Sequence, residues 1–125
     1  DQNTVLAMTC SDKDDTYYEL LSENLDILKS SVDQDNNPLK IVELEMSKKR
    51  FVPGDNEPSS YINFYIANGA IILPFFRDDV ADQNAMNIIK TQFPNRQIEC
   101  LDGHDILMGG GNIHCITQQQ PKAVS

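Results

Sequence analysis

Gly109-Gly110-Gly111-Asn112-Ile113-His114-Cys115-Ile116-Thr117-Gln118-Gln119-Gln120-Pro121 is the stretch on which the reading of this chain turns. Three consecutive glycines make a backbone without Cβ atoms, free to take positive φ and to let a ligand approach its N–H and C=O groups. The apolar–polar alternation from Ile113 to Thr117 predicts a short strand, part of a final strand over residues 109–118. Cys115 then falls just inside a strand entered through a glycine loop. The loop gives access and the strand fixes the Cβ direction, so the position suits a nucleophile.

Upstream, residues 106–108 lead into the glycines from a turn at Asp102-Gly103-His104-Asp105. Residues 97–101 read as a strand. Residues 80–93 read as a helix with Ala81, Ala85, Ile88, Ile89 and Phe93 on its apolar side, stopped by Pro94 and Asn95. Two β-rich runs, 61–67 and 70–74, are joined by Asn68-Gly69, which accepts positive φ at both positions and signals a type I′ hairpin. Residues 47–59 hold two prolines, a glycine and several charges, a loop of a length that is often functional. Before it, 39–45 alternates as a strand and 33–38 is a turn of Asp, Asn and Pro. Residues 15–31 predict a helix in which Leu21, Leu25 and Leu28 recur at helical spacing, with Leu20 and Ile27 beside them, as a core-facing side. Ser11, Asp12, Asp14 and Asp15 cap it, and 4–9 is a short apolar strand.

In element order this is strand–helix–strand, then hairpin–helix–strand, then a last strand. The second unit (60–101) is a ββαβ module, and the first (1–45) is the same module without its opening strand. The repeat is one of element order alone. Periodicity by itself gives a mixed α/β domain.

A chain of 125 residues and 14.1 kDa fits one domain or a piece of a larger one. Its net charge of −9 argues against nucleic acid and anionic membranes as partners and suits a cationic substrate. No run approaches the roughly 18 apolar residues of a membrane span. No basic, then apolar, leader is present, so no signal peptide is expected. Three cysteines, Cys10, Cys100 and Cys115, without framework spacing point to reduced thiols in a cytoplasmic setting. A zinc set of Cys100, His104, His114 and Cys115 is not expected, because neighbours on a strand face opposite ways.

The wording GGGNIHCITQQQP resembles the C-terminal signature of the agmatine deiminases, in the guanidino-group-modifying superfamily that also holds bacterial-type peptidylarginine deiminases. The resemblance continues through Pro58-Ser59-Ser60-Tyr61-Ile62-Asn63-Phe64-Tyr65-Ile66-Ala67-Asn68 and Phe93-Pro94-Asn95-Arg96, and more faintly in Cys10-Ser11-Asp12-Lys13-Asp14-Asp15. It covers nearly the whole chain, as the C-terminal third of a longer enzyme. It implies a pentein fold: about two ββαβ blades of a five-bladed α/β propeller, with 1–125 the C-terminal part of a single catalytic domain.

The implied reaction converts agmatine and water to N-carbamoylputrescine and ammonia through a covalent thiouronium intermediate, with no metal or organic cofactor. Cys115 occupies the family's nucleophile position. Gly109, Gly110, Gly111 and Asn112 form the implied substrate-binding loop, with carbonyls for guanidinium N–H groups and Asn112 ordering the loop. The family's catalytic histidine lies in a His-x-Asp motif, and carboxylates grip the guanidinium. These residues contain no His-x-Asp, so the resemblance makes the N-terminal remainder a required partner and this chain alone inactive. It further implies a homo-oligomer.

His114 is set aside as the base, because on a strand it points away from Cys115. Cys10 and Cys100 read as small buried residues, and Tyr61 and Asn63 as packing. Peptidylarginine deiminase, another guanidine hydrolase, or a non-catalytic binding or assembly module are the alternative readings.

Overall fold

The computed structural model describes residues 3–49 and 57–121. Strand β1 (Thr4–Thr9), helix α1 (Tyr18–Ser30) and strand β2 (Lys40–Glu45) form a βαβ unit. β1 and β2 run parallel, from Thr4 opposite Lys40 to Thr9 opposite Glu45. The second unit is a ββαβ module: β3 (Tyr65–Ala67), β4 (Ala70–Phe75), helix α2 (Asp79–Gln92) and β5 (Gln97–Asp102). β3 pairs antiparallel with β4, and β5 returns parallel on the other side of β4. Parallel neighbours need a crossover, and in both units a helix supplies it. A short helix α3 (His104–Leu107) follows where the sequence predicts a turn.

One core joins the two units. Leu44 of β2 packs with Ile71 and Leu73 of β4, Ala85 and Ile89 of α2, and with Tyr61, Phe76 and Leu107. β4 is central and its Ile71 and Leu73 are fully buried, as a strand covered on both sides should be. α2 buries Ala85 and Ile89 as its period predicts, while Val80 at its start is 83% exposed.

Helix α1 differs from the expectation. Leu21 is buried, but Leu25 and Leu28 line an open apolar groove of about 430 Å³ together with Leu6, Met8 and Ile62. The helix also starts at Tyr18 rather than in the acidic cluster. Asp12 and Asp15 instead accept the N–H groups of Asp14 and Tyr17, closing turns ahead of it. Asx turns compete with helix for these residues.

Two further expectations are corrected by tertiary hydrogen bonds. The hairpin loop has positive φ at Gly69 (79°) and not at Asn68, so it is not type I′. Arg96 donates to the Ala67 carbonyl and Gln97 N–H to that of Gly69 (2.9 Å), so the turn is shaped by the entry to β5. The strand expected over 61–67 is confined to β3, because 61–64 turn away. Of the 47–59 loop, residues 50–56 lie outside the described residues. Its ends meet in a bridge between Ser47 and Ser59, both buried.

A buried carboxylate ties this loop to α2. Asp82 is 4% exposed and accepts from the Tyr61 hydroxyl (2.7 Å), Phe76 N–H (2.9 Å) and Asp78 N–H (3.1 Å). Burial first, then the bond to Asp82, drives the Tyr61 phenol far above its ordinary pKa. Asp78 in turn caps α2 by accepting Ala81 N–H and takes the Ser47 hydroxyl at 2.8 Å. Asp82→Ala would strip two buried donors and one part-buried donor of their acceptor. It is expected to lower unfolding free energy by roughly 3 kcal/mol or more, read as a lower urea midpoint.

Candidate active site

The glycine stretch begins as the end of α3. Gly109 and Gly110 donate their N–H groups to the Ile106 and Leu107 carbonyls, both at 3.0 Å. Gly110 and Gly111 then take φ of 83° and 107°, a region closed to most side chains. The chain next dives inward. Asn112 is 2% exposed, donates Nδ2 to the Gly103 carbonyl (3.1 Å) and accepts Ile113 N–H on Oδ1 (2.9 Å). A Cβ on Gly103 would lie 2.8 and 2.9 Å from those same amide atoms, so the glycine is what lets Asn112 reach the backbone. Ile113 beside it is 4% exposed. These two buried residues are the anchor on which the exposed part stands.

The expected strand over 109–118 is not formed. His114–Ile116 is a turn of 3-10 helix, with Cys115 N–H on the Asn112 carbonyl (3.0 Å) and Thr117 N–H on that of His114 (3.1 Å). The five-residue alternation is too short to outweigh a left-handed glycine entry and a carbonyl already aimed for a turn. His114 and Cys115 are therefore neighbours on a helical turn and do not lie on opposite faces of a pleat. Among the described residues the His114 ring has no hydrogen-bond partner. What His114 contributes is its backbone N–H.

That N–H binds Asn63, on the 61–64 turn, through both the main-chain carbonyl (3.2 Å) and Oδ1 (2.9 Å). With Oδ1 accepting, the amide is oriented so that Nδ2 meets Cys115 Sγ at 3.1 Å. Oδ1 also lies 3.6 Å from the sulfur, the longer and weaker of the two contacts. Asn63 was read from sequence as packing; it is the side chain in contact with the thiol. Tyr61, two residues earlier, is packing as expected, edge-on to Phe76 with centroids 5.1 Å apart.

The three thiols sort by environment. Cys115 is exposed, and hydrogen bonding from the Asn112 backbone first and the Asn63 side chain second holds its pKa below the ordinary thiol value. Cys10 is buried and Cys100 partly so, and desolvation is the main cause raising both. A thiolate is the nucleophilic form, and of the three thiols Cys115 is the one that is exposed and lowered in pKa. Gly111 keeps the sulfur clear: a Cβ there would lie 2.9 Å from Sγ. A cleft of about 90 Å³ lies beside Asn63 and Gly111, lined also by Glu57, Ser60, Leu107 and Asn112. His104 stands apart, heading α3 with its ring against Asp105 at 2.9 Å. The backbone N–H of His104, and then Arg77, hold the pKa of Asp102 below the usual carboxylate value.

The comparisons with known proteins agree in direction. The family model for Porphyromonas-type peptidyl-arginine deiminase matches residues 1–121. A curated relative from Legionella pneumophila (strain Paris) is 41% identical over 119 residues, 95% of this chain and 34% of that protein. The agmatine deiminase of Medicago truncatula is 35% identical over 94% of this chain and 36% of its own length. The solved agmatine deiminase of Enterococcus faecalis superposes with a TM-score of 0.89 at 30% identity, over 98% of this chain and 38% of that one. The chain thus spans about a third of the length of the curated relatives it matches.

Proposed function

This chain belongs to the Porphyromonas-type peptidyl-arginine deiminase family, and we propose that it carries the nucleophile of a guanidine deimination site whose substrate is agmatine. The observation that carries the reading is Cys115 itself: an exposed thiol of lowered pKa, held by Asn63 and kept uncovered by a glycine. Relatives named agmatine deiminase support the choice of substrate. The net charge of −9 suits a cation.

A guanidinium is planar and delocalised, so its carbon is a poor electrophile and the attacking group must be a thiolate. Sγ of Cys115 bonds to that carbon and one C–N bond breaks, the departing nitrogen leaving as ammonia. Water then adds to the thiouronium carbon and the C–S bond breaks, giving N-carbamoylputrescine and the thiolate again. An arriving guanidinium itself favours the charged sulfur. Gly109, Gly110 and Gly111 line the approach with carbonyls for guanidinium N–H groups. Asn112, its side chain committed to Gly103 and Ile113, orders that loop.

The proton-transfer base and the main guanidinium carboxylates belong, in this proposal, to the N-terminal remainder. The two units described here are then two blades of a five-bladed propeller. Support comes from β1, which among the described residues has β2 as its one strand neighbour, and from the open apolar groove beside it. An unpaired strand edge next to apolar surface invites a further strand or blade. A homo-oligomeric, cytoplasmic enzyme is part of the same proposal. Among the described residues no helix is long and apolar enough to cross a membrane.

Peptidyl-arginine is the second substrate reading, favoured by the description of the matched family. Ammonia release from agmatine and from an arginine-containing peptide, by the protein joined to its N-terminal remainder, separates the two. Agmatine is expected to be turned over and the peptide not. No release from agmatine under conditions where the peptide reacts would overturn the substrate assignment.

A further inference from the structure

We propose that helix α2 sets the Cys115 site from behind, with Tyr61 as its positioning residue: the bond from the Tyr61 hydroxyl to Asp82 fixes the 61–64 turn, and through that turn the side chain beside the sulfur. The inference rests on Cys115 being the nucleophile. It adds to that reading a residue that is 1% exposed and belongs to the core.

The turn holds itself only weakly. Its internal hydrogen bond, from Asn63 N–H to the Ser60 carbonyl, is 3.4 Å, beyond the usual range for N–H···O. What places it comes from the two ends of α2. At the N-terminal end Tyr61 donates to Asp82 Oδ1 at 2.7 Å. That oxygen also accepts Phe76 N–H at 2.9 Å, and Oδ2 accepts Asp78 N–H at 3.1 Å, so the backbone fixes the acceptor's orientation. At the C-terminal end Phe64 stands edge-on to Phe93, the residue that ends α2, with centroids 5.8 Å apart. Asn63 lies between these anchors, with Oδ1 on His114 N–H at 2.9 Å and Nδ2 at 3.1 Å from Sγ.

The two anchors differ in kind. Ring against ring tolerates sliding, whereas a hydrogen bond weakens steeply as its angle departs from linear. The hydroxyl therefore sets the register of the turn, and a phenylalanine at 61 would fill the same space without setting it. The sulfur needs that register. Nδ2 and Oδ1 of Asn63 lie 3.1 and 3.6 Å from Sγ, so a shift of about 0.5 Å, the tolerance of a functional constellation, removes the difference between them.

The test is a double-mutant cycle read by the pH dependence of Cys115 alkylation with iodoacetamide and peptide mass mapping. It uses the protein joined to its N-terminal remainder, without substrate. The variants are Tyr61→Phe, Asn63→Ala and the pair together. Y61F keeps the ring and its contact with Phe76, and circular dichroism verifies folding. Ile89→Val is the control for general loosening, since it trims a fully buried core residue of the same helix and also lowers the urea midpoint. Y61F is expected to raise the alkylation midpoint by roughly 0.3 to 0.5 pH unit in the wild-type background. In the Asn63→Ala background it should add nothing, because the group it acts through is gone. I89V should leave the midpoint where it was.

An unchanged midpoint in Y61F overturns the proposal. So does an equal shift with Asn63 already removed, which would show another route, or an equal shift in I89V, which would show mere destabilisation. Alkylation needs no turnover, so loss of the agmatine assignment leaves the result standing, and an active enzyme with a fixed midpoint in Y61F removes Tyr61 alone.

Discussion

Cys115→Ala is expected to abolish ammonia release from agmatine in the protein joined to its N-terminal remainder. The loss should be roughly four to six orders of magnitude, the scale on which removal of a covalent nucleophile acts when the binding groups stay in place. The side chain is exposed, on a turn anchored by the buried Asn112 and Ile113, and its sulfur meets Asn63 and nothing in the core. Stability should therefore change by no more than about 0.5 kcal/mol, as for other surface substitutions. An intact urea transition with lost turnover is the signature of a chemical defect. Cys100→Ala serves as the control: that thiol packs against the core and is raised in pKa by burial, so its loss should cost stability and spare the chemistry.

Gly111→Ala is expected to have the second largest effect, for two separable reasons. Its φ of 107° lies where an L side chain is strained, at a cost of about 1–3 kcal/mol. Its new Cβ would also sit 2.9 Å from Sγ and 3.0 Å from Cβ of Cys115. Real side chains do not tolerate such contacts, so the nucleophile must rotate away from Asn63. A displacement of that size is expected to lower turnover by roughly 100-fold or more. Gly69→Ala isolates the first cause, because Gly69 also has positive φ (79°) but nothing within 4 Å of the added carbon. It should lower the urea midpoint and leave turnover unchanged, whereas Gly111→Ala lowers both.

The elements were legible where the pattern was long. α2 repeats its apolar side over four turns, and residues 80–93 fall within a residue of its bounds. The ββαβ order of the second unit is likewise written in the alternation of β-rich runs and helix. Short patterns misled. Ile113 to Thr117 alternates like a strand, yet Gly110 and Gly111 enter it left-handed and Asn112 offers a carbonyl to Cys115, so a 3-10 turn forms. Asn68-Gly69 has the composition of a type I′ loop, but Arg96 and Gln97 hold its carbonyls from outside.

The candidate site was legible in part. Cys115 is marked by its neighbours in the sequence. Asn63 is 52 residues away, on a turn that Tyr61 pins to Asp82 and that His114 N–H holds from the other side. No local pattern encodes that meeting. Its one visible trace is that the 58–68 stretch and the cysteine stretch carry the same family resemblance.

The most direct measurement of the central claim is mass spectrometry of the protein, joined to its N-terminal remainder, quenched in acid during agmatine turnover. The account predicts a covalent adduct of agmatine less ammonia on the peptide that contains Cys115. Ammonia release that persists with Cys115 replaced by alanine, and no adduct on that peptide at any quench time, would contradict it.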